Sequence, residues 1–387
     1  MGRKAADSDI RMMIATQVSY LDGKPGVMAG DLVARTIAAY AEEDNLPERE
    51  RKQLETARYV QSQIEKHCLN DCCRWVIREI DDDNTKSGFY GCLIDTRDGG
   101  SIVGMRGSES FDRKQVLHDW VEADAGLMNS TETRQQCRAA EFARHLYHVY
   151  GAAYDGYSFA GHSLGGNLAE HAAVTAPAGM SIRRCVNLDG PGFSGEYIDL
   201  HRNDIAQRCR YIDHYQYSLV GTLLTPLPGT NYQTIAAHND KDSKGLSAFI
   251  VRHHTRNIEF NGNGQVKPGK RDAVSMITDP LSKDLDAMDF SPLWLVCPQL
   301  ALMQAVTREG CAALLSIKTQ AGRMLGSAKG TLRGGGGTDG EMALLPSKAL
   351  NAIGGMGCTP SDNKARQDVF TRWHFSRELV KKRRHGI

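Results

Sequence analysis

Residues Tyr157–Val174 read YSFAGHSLGGNLAEHAAV. The stretch starts as a β-type run, turns through Gly161-His162-Ser163-Leu164-Gly165, and continues as an alanine-rich helix. A serine hydroxyl is a weak nucleophile until a base takes its proton, and it must stand clear of the backbone to meet a substrate. A sharp strand–turn–helix achieves this by straining the serine, and it leaves no room for Cβ atoms two residues before and two after. Glycine at 161 and 165 meets that demand, so the stretch predicts a nucleophile elbow with Ser163 at its tip. Ser163 then lies at a helix N-terminus, where N–H groups and the helix dipole favour negative charge. The N–H of Leu164 becomes half of an oxyanion hole. Gly166, Ala169, Ala172 and Ala173 keep the helix slim enough to lie close on a sheet.

Working outward, the neighbouring segments alternate strand and helix. Phe89–Asp95 and Ser101–Met105 flank Arg-Asp-Gly-Gly, and Asp-Gly between apolar runs signals a hairpin. Ser130–Gly151 predicts a helix with Ala139, Phe142 or Ala143, Leu146 and Tyr150 on one face and Gly151 at its end. YDGYSFAG is the strand entering the elbow, and Pro177 stops the helix that leaves it. RRCVNLDGPG (Arg183–Gly192) and RCRYIDHYQY (Arg208–Tyr217) are the next two strands. This alternation implies an α/β fold with a mostly parallel sheet flanked by helices.

Three regions are expected. Residues 1–85 are mostly helical, with Leu32, Ile37 and Tyr40 at helical spacing after Asp31, and Leu54, Ala57, Val60 or Gln61, and Ile64 on one face of Glu48–Cys68. Residues 86–262 form the α/β core. Residues 270–387 form a mostly helical C-terminal region, with a Gly-rich linker at Gly326–Gly340 and a basic tail.

Composition narrows the function classes. The 387 residues are 41% hydrophobic and 24% charged, with a net charge of +1, so no overall field favours nucleic acid. Ten cysteines are scattered along the chain, and reduced, packed thiols are the expectation. The His67–Cys73 cluster HCLNDCC has no second ligand pair, so no metal is expected. The N-terminal MGRKAADSDI has no apolar core of signal-peptide length, and Ala6 stands where a myristoylation signal carries Ser or Thr. PLWLVCPQLALMQAV (Pro292–Val306) is too short to span a bilayer. The expectation is a cytoplasmic protein, or one exported without a Sec signal. The terminal KKRRHG is read either as a solvated tail or as a contact with an anionic membrane surface.

An elbow serine needs an acid and a histidine, in the order Ser, acid, His. Asp189 ends the next strand in a tight Leu-Asp-Gly-Pro-Gly turn, and Asp213 on the following strand is the rival. For the histidine, His254 and then His253 follow a β-type run in FIVRHHTRNIEF, while His201, His214 and His238 also lie downstream. The second oxyanion donor is sought after the hairpin, where Arg106-Gly107-Ser108 offers the N–H and hydroxyl of Ser108.

These segments also carry a family likeness. MRGSES with HDWVEADAGL (His118–Leu127), and GHSLGG, resemble the corresponding regions of class 3 lipases. GHSLGGNLAEHAAV with VNLDGPGF is similar to a bacterial lipase-like family of largely uncharacterised function. VSYLDG (Val18–Gly23), LVGTLL (Leu219–Leu224) and His254 match further motifs of that family. His253 stands where the family has glutamine, and Thr255 where it has aspartate. LDGPGF is also similar to the pancreatic-type lipases, whose acid follows the strand after the nucleophile. The resemblance covers residues 10–260 and implies an α/β-hydrolase fold with serine esterase or lipase activity, without cofactor or metal, on a lipid or small ester. A role as an exported antibacterial lipase, a non-catalytic binding protein on the same fold, and an acyltransferase or peptidase with the same triad are the other readings. No protein partner is indicated.

Overall fold

The hairpin around Arg97–Gly100 forms as the sequence expects. Strand β2 (Phe89–Asp95) runs antiparallel to β3 (Gly100–Met105), with Asp95 paired to Ser101. In this computed structural model residues 7–43, 45–107, 132–218, 220–238 and 252–271 are described. The chain divides into two compact units, Met1–Cys311 and Ala312–Ile387, and every described residue lies in the first. The expected C-terminal region beyond residue 271 therefore lies outside the described residues.

Among the described residues, seven strands form one sheet in sequential order. β1 (Val76–Asp83) pairs antiparallel with β2. From β3 onward the pairing is parallel, through β4 (Gly156–His162), β5 (Ile182–Leu188), β6 (Ile212–Gln216) and β7 (Asn231–Thr234). The expectation of helix through residue 85 is corrected here, because β1 occupies its last part. Arg78, Glu79 and the Asp81–Asp83 run hide the strand in the sequence, since one sheet edge tolerates charge that an inner strand does not.

Sequential order has a physical consequence. Every parallel crossover steps the same way, and crossovers are right-handed, so the connecting helices all fall on one face of the sheet. α4 (Arg134–Tyr150) and α5 (Leu164–Thr175) pack together there, and α7 (Arg202–Arg208) packs on α5 after the short α6 (Gly195–Leu200). The opposite face needs another cover, and the N-terminal helices supply it. α1 (Asp9–Val18) lies on β3, β4 and β5, and α3 (Glu48–Lys66) packs on α1 and on α2 (Ala29–Tyr40).

Strand alternation feeds both layers. Tyr157 and Phe159 enter the core under α4 and α5, while Ala160 between Phe159 and the elbow joins the core under α1. On β5, Cys185 faces the first layer, and Val186 and Leu188 face the second. Each fully buried Leu or Phe contributes about 1.5–3 kcal/mol. The start of α4 is set by a capping box, in which the Thr133 hydroxyl accepts from the Gln136 N–H and the Gln136 side chain accepts from the Thr133 N–H. The outcome is a mostly parallel α/β sheet covered by helices, with the turn that bears Ser163 at the carboxyl end of β4.

Candidate active site

The elbow forms where the glycine spacing places it. β4 ends at His162, α5 begins at Leu164, and Ser163 between them has φ 58°. A non-glycine residue in that region is strained, and here the surroundings hold it. The Ser163 N–H donates to the Leu188 carbonyl (3.0 Å), and its carbonyl accepts from the Gly166 N–H (2.8 Å). A Cβ on Gly161 would fall inside the Gly165 carbonyl, and one on Gly165 would meet the Met105 carbonyl and lie 2.8 Å from the Gly107 nitrogen. The two glycines thus let β4, α5 and the end of β3 close on one another. Gly161→Ala is expected to lower stability by about 1–3 kcal/mol or more, because the clash is with backbone. Urea unfolding of the variant checks this, and an unchanged midpoint would remove the steric account.

Asp189 is the next strained residue. It follows β5 directly, has φ 58°, and is fully buried. Its N–H donates to the Tyr215 carbonyl (2.7 Å). Its Oδ1 accepts from the N–H groups of Tyr217 and Ser218, each at 2.8 Å. Its Oδ2 lies 2.7 Å from Nδ1 of His253, which is 5% exposed. The Tyr217 N–H, the Ser218 N–H and the His253 ring therefore converge on one buried carboxylate.

The Leu-Asp-Gly-Pro-Gly turn is held from below. The Asn187 Oδ1 accepts from the Gly190 N–H (2.7 Å), and the Asn167 Nδ2 donates to the Gly192 carbonyl (2.8 Å). Gln136 completes this chain by donating to the Asn167 Oδ1 (2.8 Å), so the cap of α4, the body of α5 and the acid-bearing turn are one connected network.

The structure corrects the expected histidine. His253, not His254, reaches Asp189. His254 is exposed and caps the three-ten turn Thr255–Asn257 through its carbonyl, which accepts from the Asn257 N–H (3.0 Å). His254 follows with an extended backbone, φ −65° and ψ 134°, and is exposed where His253 is buried. Asp213 is corrected as well. It is the second residue of β6, away from the carboxyl edge, and it binds the Arg184 Nε (2.7 Å) and the Asn231 Nδ2 (2.6 Å). Arg184 also contacts Asp9 and Tyr215, so Asp213 belongs to a tie between β5, β6, β7 and α1. His201 lies 3.0 Å from Glu132, and His214 lies 3.0 Å from the buried Glu170, both away from Asp189. His238 lies 3.4 Å from Glu259.

Leu164 opens α5, as expected for an oxyanion N–H. Ser108 lies outside the described residues. Its neighbour Gly107 abuts the elbow, since a Cβ there would lie 2.8 Å from the His162 carbonyl oxygen and 3.3 Å from the Leu164 nitrogen. The Gly107 N–H donates to the hydroxyl of Tyr20 (2.9 Å), which brings the VSYLDG segment to the site.

Sequence reasoning missed four contributors. Ser218 places its Oγ 3.2 Å from His253 Nδ1, and Tyr217 donates its hydroxyl to the His253 carbonyl (3.1 Å). The His162 ring packs against the His253 ring with centroids 4.4 Å apart, and Tyr20 meets Gly107. His162 carried a signal as the residue just before the serine in the elbow motif, and Tyr20 as part of the VSYLDG segment, though neither contact was legible. Tyr217 and Ser218 depend on segments brought together by the sheet. Among the described residues, no group of three or more His, Cys, Asp or Glu side chains is placed to hold a metal ion.

A family model described as Mbeg1-like matches residues 73–256, the span from the lead-in to β1 through the His253 turn. A comparison with curated protein sequences finds no match. Among solved structures, the chain is similar to M37 lipase at 9% identity and TM-score 0.41, covering 75% of this chain and 98% of that one. It is also similar to a mutant form of MDLA from Penicillium cyclopium at 16% identity and TM-score 0.32, covering 68% of this chain and 86% of that one.

Proposed function

We propose that this protein is a serine hydrolase of carboxylic esters, with Ser163, His253 and Asp189 as its triad. The observation that carries the reading is the 2.7 Å contact between Asp189 and His253, whose ring packs on His162, the residue before the strained elbow serine. In this reading His253 takes the Ser163 proton as the Oγ attacks the acyl carbonyl, and the Leu164 N–H and the loop after β3 receive the oxyanion. The carbonyl–alkoxy bond breaks, and the alcohol leaves with the proton from His253. Water, deprotonated by the same histidine, then attacks the acyl-enzyme, releasing the acid and restoring Ser163. Asp189 holds the Nδ1–H tautomer and stabilises the imidazolium that forms. Lipid esters as the substrate rest on the sequence resemblance alone.

The test uses the full chain and its Ser163→Ala variant with p-nitrophenyl esters of short and long acyl chains, phospholipid vesicles, and a fluorophosphonate that labels activated serines. Hydrolysis and labelling by the wild type, both absent from the variant, are the expected results. Acyl transfer to an added alcohol that exceeds hydrolysis would favour a transferase. A folded wild type that neither turns over esters nor takes the label would favour a binding role.

A further inference from the structure

We propose that His162, the residue between Gly161 and Ser163, is a positioning residue that clamps the base-bearing turn onto the elbow and so sets the distance between nucleophile and base. The inference rests on the hydrolase reading above. The His162 Nε2 lies 2.7 Å from the carbonyl oxygen of His253, and its ring packs against the His253 ring at 4.4 Å and 35°. The Tyr217 hydroxyl donates to the same carbonyl oxygen (3.1 Å). One backbone oxygen therefore takes two donors, one from the end of β4 and one from the loop after β6.

The direction of the His162 bond follows from chemistry. A carbonyl oxygen only accepts, so the His162 Nε2 carries the proton. Burial, and then the charge of His253, hold the His162 imidazole well below its ordinary pKa, so the ring stays neutral beside a base that becomes charged during turnover. A neutral donor clamps the turn without opposing the imidazolium.

The connectivity makes the clamp economical. Ser163 and His162 are consecutive, and the acceptor is the backbone of His253 itself. A single side-chain hydrogen bond thus joins the residue before the nucleophile to the residue that carries the base. Arg252 reinforces the turn from the other side, donating its Nε to the Tyr217 carbonyl (2.5 Å). Displacement of a catalytic group by about 1 Å can cost about 100-fold in rate, so a contact of this kind matters to kcat.

The experiment compares His162→Leu, which removes the donor at similar volume, with His162→Gln, whose amide N–H can still reach the carbonyl. Ester kinetics, fluorophosphonate labelling rates and thermal unfolding are measured on the full chain, with the low-field proton NMR signal of the Asp189–His253 hydrogen bond. His162→Leu is expected to lower kcat and the labelling rate by about 10- to 100-fold at unchanged KM, and to shift or broaden the low-field signal. His162→Gln is expected to recover most of the rate. Tyr217→Phe, which removes the second donor, is expected to lower kcat several-fold and keeps the test available if His162→Leu does not fold. An active wild type with unchanged kcat in His162→Leu or in Tyr217→Phe overturns the clamp alone, as does a His162→Gln as slow as His162→Leu. A wild type that neither hydrolyses esters nor takes the label overturns the hydrolase reading and the clamp with it.

Discussion

His253→Ala is expected to lower kcat on a simple ester by about 10⁴-fold or more, to the level of Ser163→Ala, while His254→Ala stays within about two-fold of the wild type. The contrast follows from geometry. His253 is 5% exposed and 2.7 Å from the Asp189 carboxylate, whereas the next residue points away, exposed, at the start of a three-ten turn. Removing a base from a triad leaves only the help of the oxyanion donors and binding, which explains why single and multiple triad deletions cost similar amounts. A double Ser163→Ala, His253→Ala variant is therefore expected to be no slower than either single one. Steady-state kinetics with unchanged KM would place the loss in the chemical step. Loss of activity in His254→Ala with retention in His253→Ala would reverse the assignment.

Asp189→Asn is the second large effect, expected at about 10⁴-fold in kcat with the fold retained. The Asn oxygen would take the position that accepts from the Tyr217 and Ser218 N–H groups, because those donors are fixed in the backbone. The Asn NH₂ would then face His253 Nδ1 and force it to accept. The proton would move to Nε2, and a ring protonated there cannot take a proton from serine. Asp213→Asn separates the rival assignments. It weakens the contact with the Arg184 Nε and is expected to lower the unfolding free energy by about 1–3 kcal/mol, with activity within a few-fold. Kinetics and urea unfolding on both variants distinguish a rate effect from a stability effect. Wild-type kcat in Asp189→Asn would overturn its role.

What was legible in the sequence was what local physics controls. Glycines at 161 and 165 predicted the tight strand–turn–helix because the steric demand lies within five residues, and both contacts are crowded as expected. Arg-Asp-Gly-Gly predicted the hairpin because turn chemistry acts over four residues. The helix stripes of α2, α3 and α4 were visible as periodicity, and Leu-Asp-Gly-Pro-Gly pointed to a fixed acid at a strand end. β1 was not legible, since an edge strand with Asp81, Asp82 and Asp83 lacks the apolar run of an inner one.

The rest depended on residues far apart in the chain. His253 and His254 are equivalent to any reading of composition or spacing, and only the packing of their turn on the elbow and on β6 selects one of them. Asp213 looked like a candidate until β5, β7 and α1 surrounded it with Arg184 and Asn231. Tyr20 reaches Gly107 across 87 positions, and His162 reaches His253 across 91. The sequence by itself determined the elbow, the alternation of strands and helices, and hence the class of fold, because those features come from sterics and periodicity within short windows. The tertiary structure alone decided which histidine meets which carboxylate and what holds them, because that choice depends on how one sheet brings separate loops to a single edge.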